Sequence, residues 1–103
     1  MNLLQVDALS IHKMASGNLC LQLTERVEWE DFPNYVHEFL RVIGGEILEK
    51  NDAVDIRLWV VRIGDTKLWL VYEDYPQMVS LEPHEGQACD ALLQNLHQKL
   101  RAL

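Results

Sequence analysis

Between Val54 and Tyr72 the chain holds two strand-length runs whose residues are apolar whichever way their side chains point, and that stretch limits the possible folds more than any other. The runs meet at Gly64-Asp65, a dipeptide suited to a two-residue type II′ turn. Such a turn predicts Val60 beside Trp69 and Leu58 beside Val71 on one face, with Trp59 beside Leu70 and Val61 beside Leu68 on the other. One face then carries Val54, Ile56, Leu58, Val60, Trp69 and Val71; the other carries Trp59, Val61, Ile63, Leu68, Leu70 and Tyr72, together with Arg57. A three-residue loop would slip the register by one and set Arg57 opposite Glu73, but both faces would stay apolar. A sheet built around this hairpin must be covered on both sides, by its own chain or by something else.

The flanking segments supply material for one cover. Ser16, Gly17 and Asn18 read as a turn between an apolar stretch (Leu9, Ile11, Met14) and the alternating run Leu19, Leu21, Leu23, which predicts a first hairpin with those three leucines facing the core. From Glu30 the period lengthens to about 3.6, with Phe32, Val36, Phe39, Leu40 and Ile43 on one stripe. This predicts a helix over residues 31–43, opened by Glu30, Asp31 and Pro33 and stopped by Gly44-Gly45. A short strand at Glu46 to Glu49, a turn at Asn51 and Asp52, and a long strand from Val54 to Ile63 follow. After Pro76 a short strand, Met78 to Leu81, precedes a closing helix over 83–101, with Ala88, Cys89, Leu92, Leu93, Leu96, Leu100 and Leu103 on one side. The expected architecture is a single two-layer α+β domain over 1–103, in the order ββα, ββββ, α. An antiparallel sheet of five or six strands packs one face against two helices.

At 103 residues, 49% hydrophobic and 24% charged, the composition is that of a chain with a real apolar core. Its net charge of −7 opposes a phosphate-tracking surface, so no nucleic-acid partner is expected. No apolar run approaches the ~18 to 20 residues of a membrane span, and Met1 to Leu9 lacks the basic start of a secretory signal. A cytoplasmic protein without a membrane partner is expected. Cys20 and Cys89 stand far apart with no ligand-spaced neighbour, which argues for free thiols and against zinc or a redox pair.

Chemistry-bearing patterns are sparse. His12, His37, His84 and His97 include no pair at i, i+4 spacing, and Asp90 with His97 has no nucleophile to serve. Glu82, His84 and Glu85 crowd one turn without resembling a calcium loop, and the acids from Glu25 to Glu38 read as a solvated helix start. Neither a phosphate-binding glycine motif nor a nucleophile elbow is present. No catalytic residue, metal ligand or cofactor is therefore expected.

The stretch from Trp29 to Glu82 resembles, in element order and in Trp59, Val61, Trp69, Tyr72, Glu73 and the closing Val79 to Leu81, a domain-of-unknown-function family of short gamma-proteobacterial proteins. The resemblance implies a bacterial cytosolic origin and nothing catalytic. The functional expectation is a non-enzymatic interaction protein, adaptor-like, immunity-like or chaperone-like, whose surface includes Trp59, Trp69, Val61, Val71, Tyr72 and Tyr75. Its partner is a protein or a second copy in a homodimer, unless Met1 to Val6 folds across the uncovered face. The alternative is a small enzyme with a pocket gathering Glu73, Asp74 and His84 or His12.

Overall fold

In the computed structural model, which describes residues 4–103, the central hairpin takes the register of the two-residue turn. Strand β4 (Ile56–Ile63) pairs with β5 (Thr66–Asp74) so that Val60 faces Trp69, Leu58 faces Val71, Trp59 faces Leu70 and Ile63 faces Thr66. Gly64 supplies the turn's left-handed residue at φ +63°. Around this pair are β1 (Ser10–Lys13), β2 (Leu19–Thr24), β3 (Glu46–Asp52) and β6 (Gln77–Pro83), giving a six-stranded antiparallel sheet in the order β1-β2-β6-β5-β4-β3. The helices are α1 (Phe32–Ile43), which links β2 to the far edge strand β3, and α2 (Asp90–Arg101), which packs over β1 and β2.

Both helices lie on one face. A row of side chains crosses that face from Ile11 through Leu21, Leu81 and Leu70 to Trp59, and against it α1 buries Phe32, Tyr35, Val36, Phe39, Leu40 and Ile43, while α2 buries Leu93, Leu96 and Leu100. The α1 stripe is the one its 3.6-residue period predicts. Leu4, Val6 and Leu9 pack against the same core, and the Tyr35 hydroxyl donates to the Gln5 carbonyl at 2.7 Å. Residues 4–6 are thus fastened on the helix side and do not fold across the other face; Met1 to Leu3 lie outside the described residues.

Several boundaries differ from expectation, among them the start of β4, which is Ile56 and not Val54. β3 continues to Asp52, which moves the turn to residues 53–55 and leaves Val54 97% exposed. β6 continues to Pro83, which pairs with Leu68, so this proline closes a strand instead of opening a helix. The following His84–Gly86 turn holds Glu85 at φ +51° and Gly86 at φ +76°, and two successive left-handed residues cannot continue into a right-handed helix. α2 therefore starts at Asp90, not at residue 83. The loop before it is tied to the first hairpin by Asn18 Nδ2 donating to the Gly86 carbonyl (3.0 Å) and the Leu19 N–H donating to Asp90 Oδ1 (3.3 Å).

Candidate functional site

Because side chains alternate along a strand, every residue set between the buried ones of β4 and β5 points to the face without helices. The central row on that face runs Ser10, Gln22, Ser80, Val71, Leu58, Asn51, polar at both edges and apolar in the middle. The next row is Glu82, Trp69, Val60, Glu49, and a third is Met78, Glu73, Ile56. Together they form an apolar strip along β4 and β5, made by Ile56, Leu58, Val60, Trp69 and Val71, with Met78 beside it. Val60 and Val71 are buried by their neighbours, whereas Ile56, Leu58, Trp69 and Met78 remain partly exposed. At one end the turns 53–55 and 75–76 hold Val54 and Tyr75, which are 97% and 94% exposed.

The other end is a shallow groove of about 220 Å³ lined by Leu48, Glu49, Val60, Lys67, His84 and Glu85. Leu48 reaches it from a bulge in β3, where Ile47 faces Val61 but Glu49 already faces Val60. His84 meets the Trp69 ring edge-on at 5.3 Å between centroids. Across the strand from Trp69, Glu82 is half-buried; burial, followed by the nearby Glu73 carboxylate, pushes its carboxyl above the ordinary value, with a Ser80 hydrogen bond working the other way. Among the described residues no cation lies within ion-pair distance of Glu82.

Of the residues expected to form a contact surface, Trp69 and Val71 lie on this open face and Tyr75 at its end. Trp59, Val61 and Tyr72 do not; they are 2%, 0% and 0% exposed beneath the helices. Trp59 and Tyr72 belong to an aromatic cluster in which Phe32 packs edge-on to Trp59 (5.0 Å) and leans against Tyr72 (5.5 Å), while Trp29 meets Tyr72 at 5.8 Å. The Arg57 guanidinium lies 4.2 Å over the Trp29 ring and 3.6 Å from Asp52, whose carboxylate also accepts from Trp59 Nε1 at 2.9 Å. The contributions of Trp29, Leu48, Met78 and Glu82 were missed at the sequence level. Alternation from Ser80 would have placed Met78 and Glu82 on the open face, whereas the bulge that turns Leu48 has no local signal.

The enzyme-like pocket is not assembled. Glu73 and Asp74 pair with Met78 and Gln77 at the turn end of the β5-β6 hairpin, whereas His84 follows Pro83 at the opposite end, about 17 Å away along the strand. His12 sits on edge strand β1, with Ser10 Oγ 2.9 Å from its Nε2. That hydroxyl also lies 3.1 Å from the Ala8 carbonyl, an acceptor that competes with the imidazole for its one proton. Cys20, facing His12 across the strands, is buried; burial first, and Glu82 second, push its thiol up, against the pull of the His12 backbone, away from the thiolate a nucleophile needs. Among the described residues no three His, Cys, Asp or Glu side chains gather closely enough to hold a metal ion, and no helix is long and apolar enough to cross a membrane.

A family model described as "Protein of unknown function (DUF3630)" matches residues 9–98, from just before β1 into the last turn of α2. No curated protein and no solved structure matches the chain. The chain belongs to that family of unknown function.

Proposed function

We propose that this member of the family is a non-enzymatic interaction module that docks a protein on the open face of its sheet, around Trp69. One observation carries the reading. Both helices and the apolar residues of segment 4–9 pack on the same face, leaving Ile56, Leu58, Trp69 and Met78 partly exposed around the buried Val60 and Val71 on the other, where no helix lies and His84 meets Trp69 edge-on. Apolar side chains gathered in a strip and bordered by carboxylates have the make-up of an interface: a hydrophobic centre with a polar rim. The sheet's edges support a face over an edge as the docking element, since β1 is only four residues long and β3 (EILEKND) is bulged and charged, features that discourage strand addition.

The test is photo-crosslinking inside the native host, with a photoreactive residue replacing Leu58 or Trp69 on the open face or Lys99 on α2. A discrete adduct from the first two positions and none from the third is expected. Adducts absent from the open face, or equal at all three positions, overturn the reading.

A further inference from the structure

The apolar strip is two strands wide, about 10 Å, and its fully lined part from Ile56 to Val60 is about 13 Å long. Those dimensions match the footprint of about two and a half turns of one α-helix, whose diameter is about 10 to 12 Å. The strip's borders are acidic: Glu82 and Glu73 on the β6 side, Glu49 on the β3 side, and Glu85 at the groove. Its cations are Lys67 and Arg62, and Arg62 already pairs with Glu46. Glu82 is the most telling of these groups, being a half-buried carboxylate beside Trp69 without a cationic partner among the described residues. The groove repeats the pattern around one cation, Lys67, with Leu48 and Val60 to take an aliphatic stem and the two carboxylates Glu49 and Glu85 to meet a charged head.

We infer that the occupant of the open face is a single amphipathic helix of a partner protein, laid along β4 and β5 with its apolar stripe on Trp69, Leu58 and Ile56 and with lysine or arginine residues flanking that stripe. This rests on the open face being a docking surface at all. A second copy fits the same face less well, because the face carries four carboxylates, Glu49, Glu73, Glu82 and Glu85, against two cations, Lys67 and the already paired Arg62, so face-to-face packing brings together two surfaces of the same net sign.

The experiment uses the full chain and two fluorescein-labelled 18-residue helical peptides with the same leucine stripe, one flanked by lysines and one by glutamates. Binding is read by anisotropy, and the oligomeric state of the protein by light scattering. The lysine-flanked peptide is expected to bind, and Trp69→Ala and Glu82→Gln are each expected to weaken it by about tenfold or more, a change of about 1.4 kcal/mol. Glu30→Gln, on the helix side, is expected to leave the affinity within about twofold. Thermal unfolding confirms that each variant is folded, and the near-isosteric Glu82→Gln carries the test if Trp69→Ala does not fold. Equal affinity for both peptides, or equal loss in Glu30→Gln and Glu82→Gln, overturns the inference and leaves the docking face standing. A Trp69-dependent dimer that binds neither peptide does the same, assigning the face to a second copy. No binding, no dimer and no open-face crosslink remove both readings.

Discussion

Tyr72 is wholly buried, and its hydroxyl has no hydrogen-bond partner among the described residues. Replacing a buried polar atom that makes no bond removes a desolvation cost and loses nothing in return, so Tyr72→Phe should leave stability unchanged or raise it by about 1 kcal/mol in urea unfolding. A loss of about 1 kcal/mol or more would mean that the hydroxyl is bonded. Arg57, its cross-strand neighbour, shows why residue character alone misleads here. Alternation places it on the Trp59 face, and a charged side chain there argues that this face is the wet one; the structure puts it under α1 because Trp29, distant in sequence, lies over its guanidinium. Two carboxyls give opposite pH signatures. For Asp7, burial pushes the carboxyl up, but bonds from Thr24, from backbone N–H groups including that of Glu25, and the charge of Arg26 together outweigh it and hold the group below its ordinary value. That stability is present above the unfolded value of about 3.9 and is lost as pH falls through the lowered folded value. Glu82 is raised, so the folded chain binds its proton more tightly than the unfolded chain, and ionising it costs stability as pH rises past about 4.5. Glu82→Gln should therefore stabilise the protein near neutrality and lose that advantage below about pH 4, whereas Asp7→Asn should destabilise it near neutrality. Unfolding curves at a series of pH values check both, and a Glu82→Gln gain that persists in acid would refute the assignment.

Elements with a local signal were legible, and elements set by distant contacts were not. Of the two registers that the Gly64-Asp65 turn left open, the structure takes the two-residue one, and the 3.6-residue stripe from Phe32 to Ile43 matches α1. The ends of β3 and β6 run past the apolar residues that suggested them, because ladder hydrogen bonds to β4 and β5 hold polar residues such as Lys50, Asn51 and Glu82 in strand conformation. The start of α2 was misplaced because a proline often opens a helix, and only the left-handed pair Glu85-Gly86 reveals that the chain turns first. Where helix and sheet meet, Gly45 is held by its surroundings. A Cβ there would stand 2.8 Å from the Arg62 carbonyl oxygen and 2.9 Å from Leu40 Cδ2, the first of which is backbone and cannot swing aside. Gly45→Ala should cost about 1 to 3 kcal/mol, the usual price of overpacking, while Phe39→Ala, which empties the centre of the α1 stripe, should cost about 3 to 5 kcal/mol. Denaturant midpoints at unchanged slope are the readout; a neutral Gly45→Ala would show that α1 shifts freely against β4.

At the scale of the whole molecule, the sequence showed that two helices cannot cover two apolar sheet faces, but not which face stays open, since either set of side chains satisfies the alternation. The structure resolves this in favour of the face carrying Trp69, and with that choice the chain's charge acquires a location. A net charge of −7 spread over the surface would merely keep copies apart, whereas Glu49, Glu73, Glu82 and Glu85 stand around the surface by which copies would otherwise associate. Apolar burial favours self-docking and like charge opposes it, so the balance should depend on pH and salt. Docking two such faces would desolvate Glu82 further, raising its carboxyl again, and a complex that raises an acid's proton affinity is favoured by lower pH. Added salt screens the remaining carboxylates without weakening the apolar contact. Sedimentation velocity should therefore find a monomer at about pH 7.5 in about 50 mM salt, a reversible dimer at about pH 5 in about 0.5 M salt, and a monomer in both for Trp69→Glu. A dimer of equal strength under the first conditions would show that the acidic border does not govern what this face accepts, and would return the open sheet to a second copy of the chain.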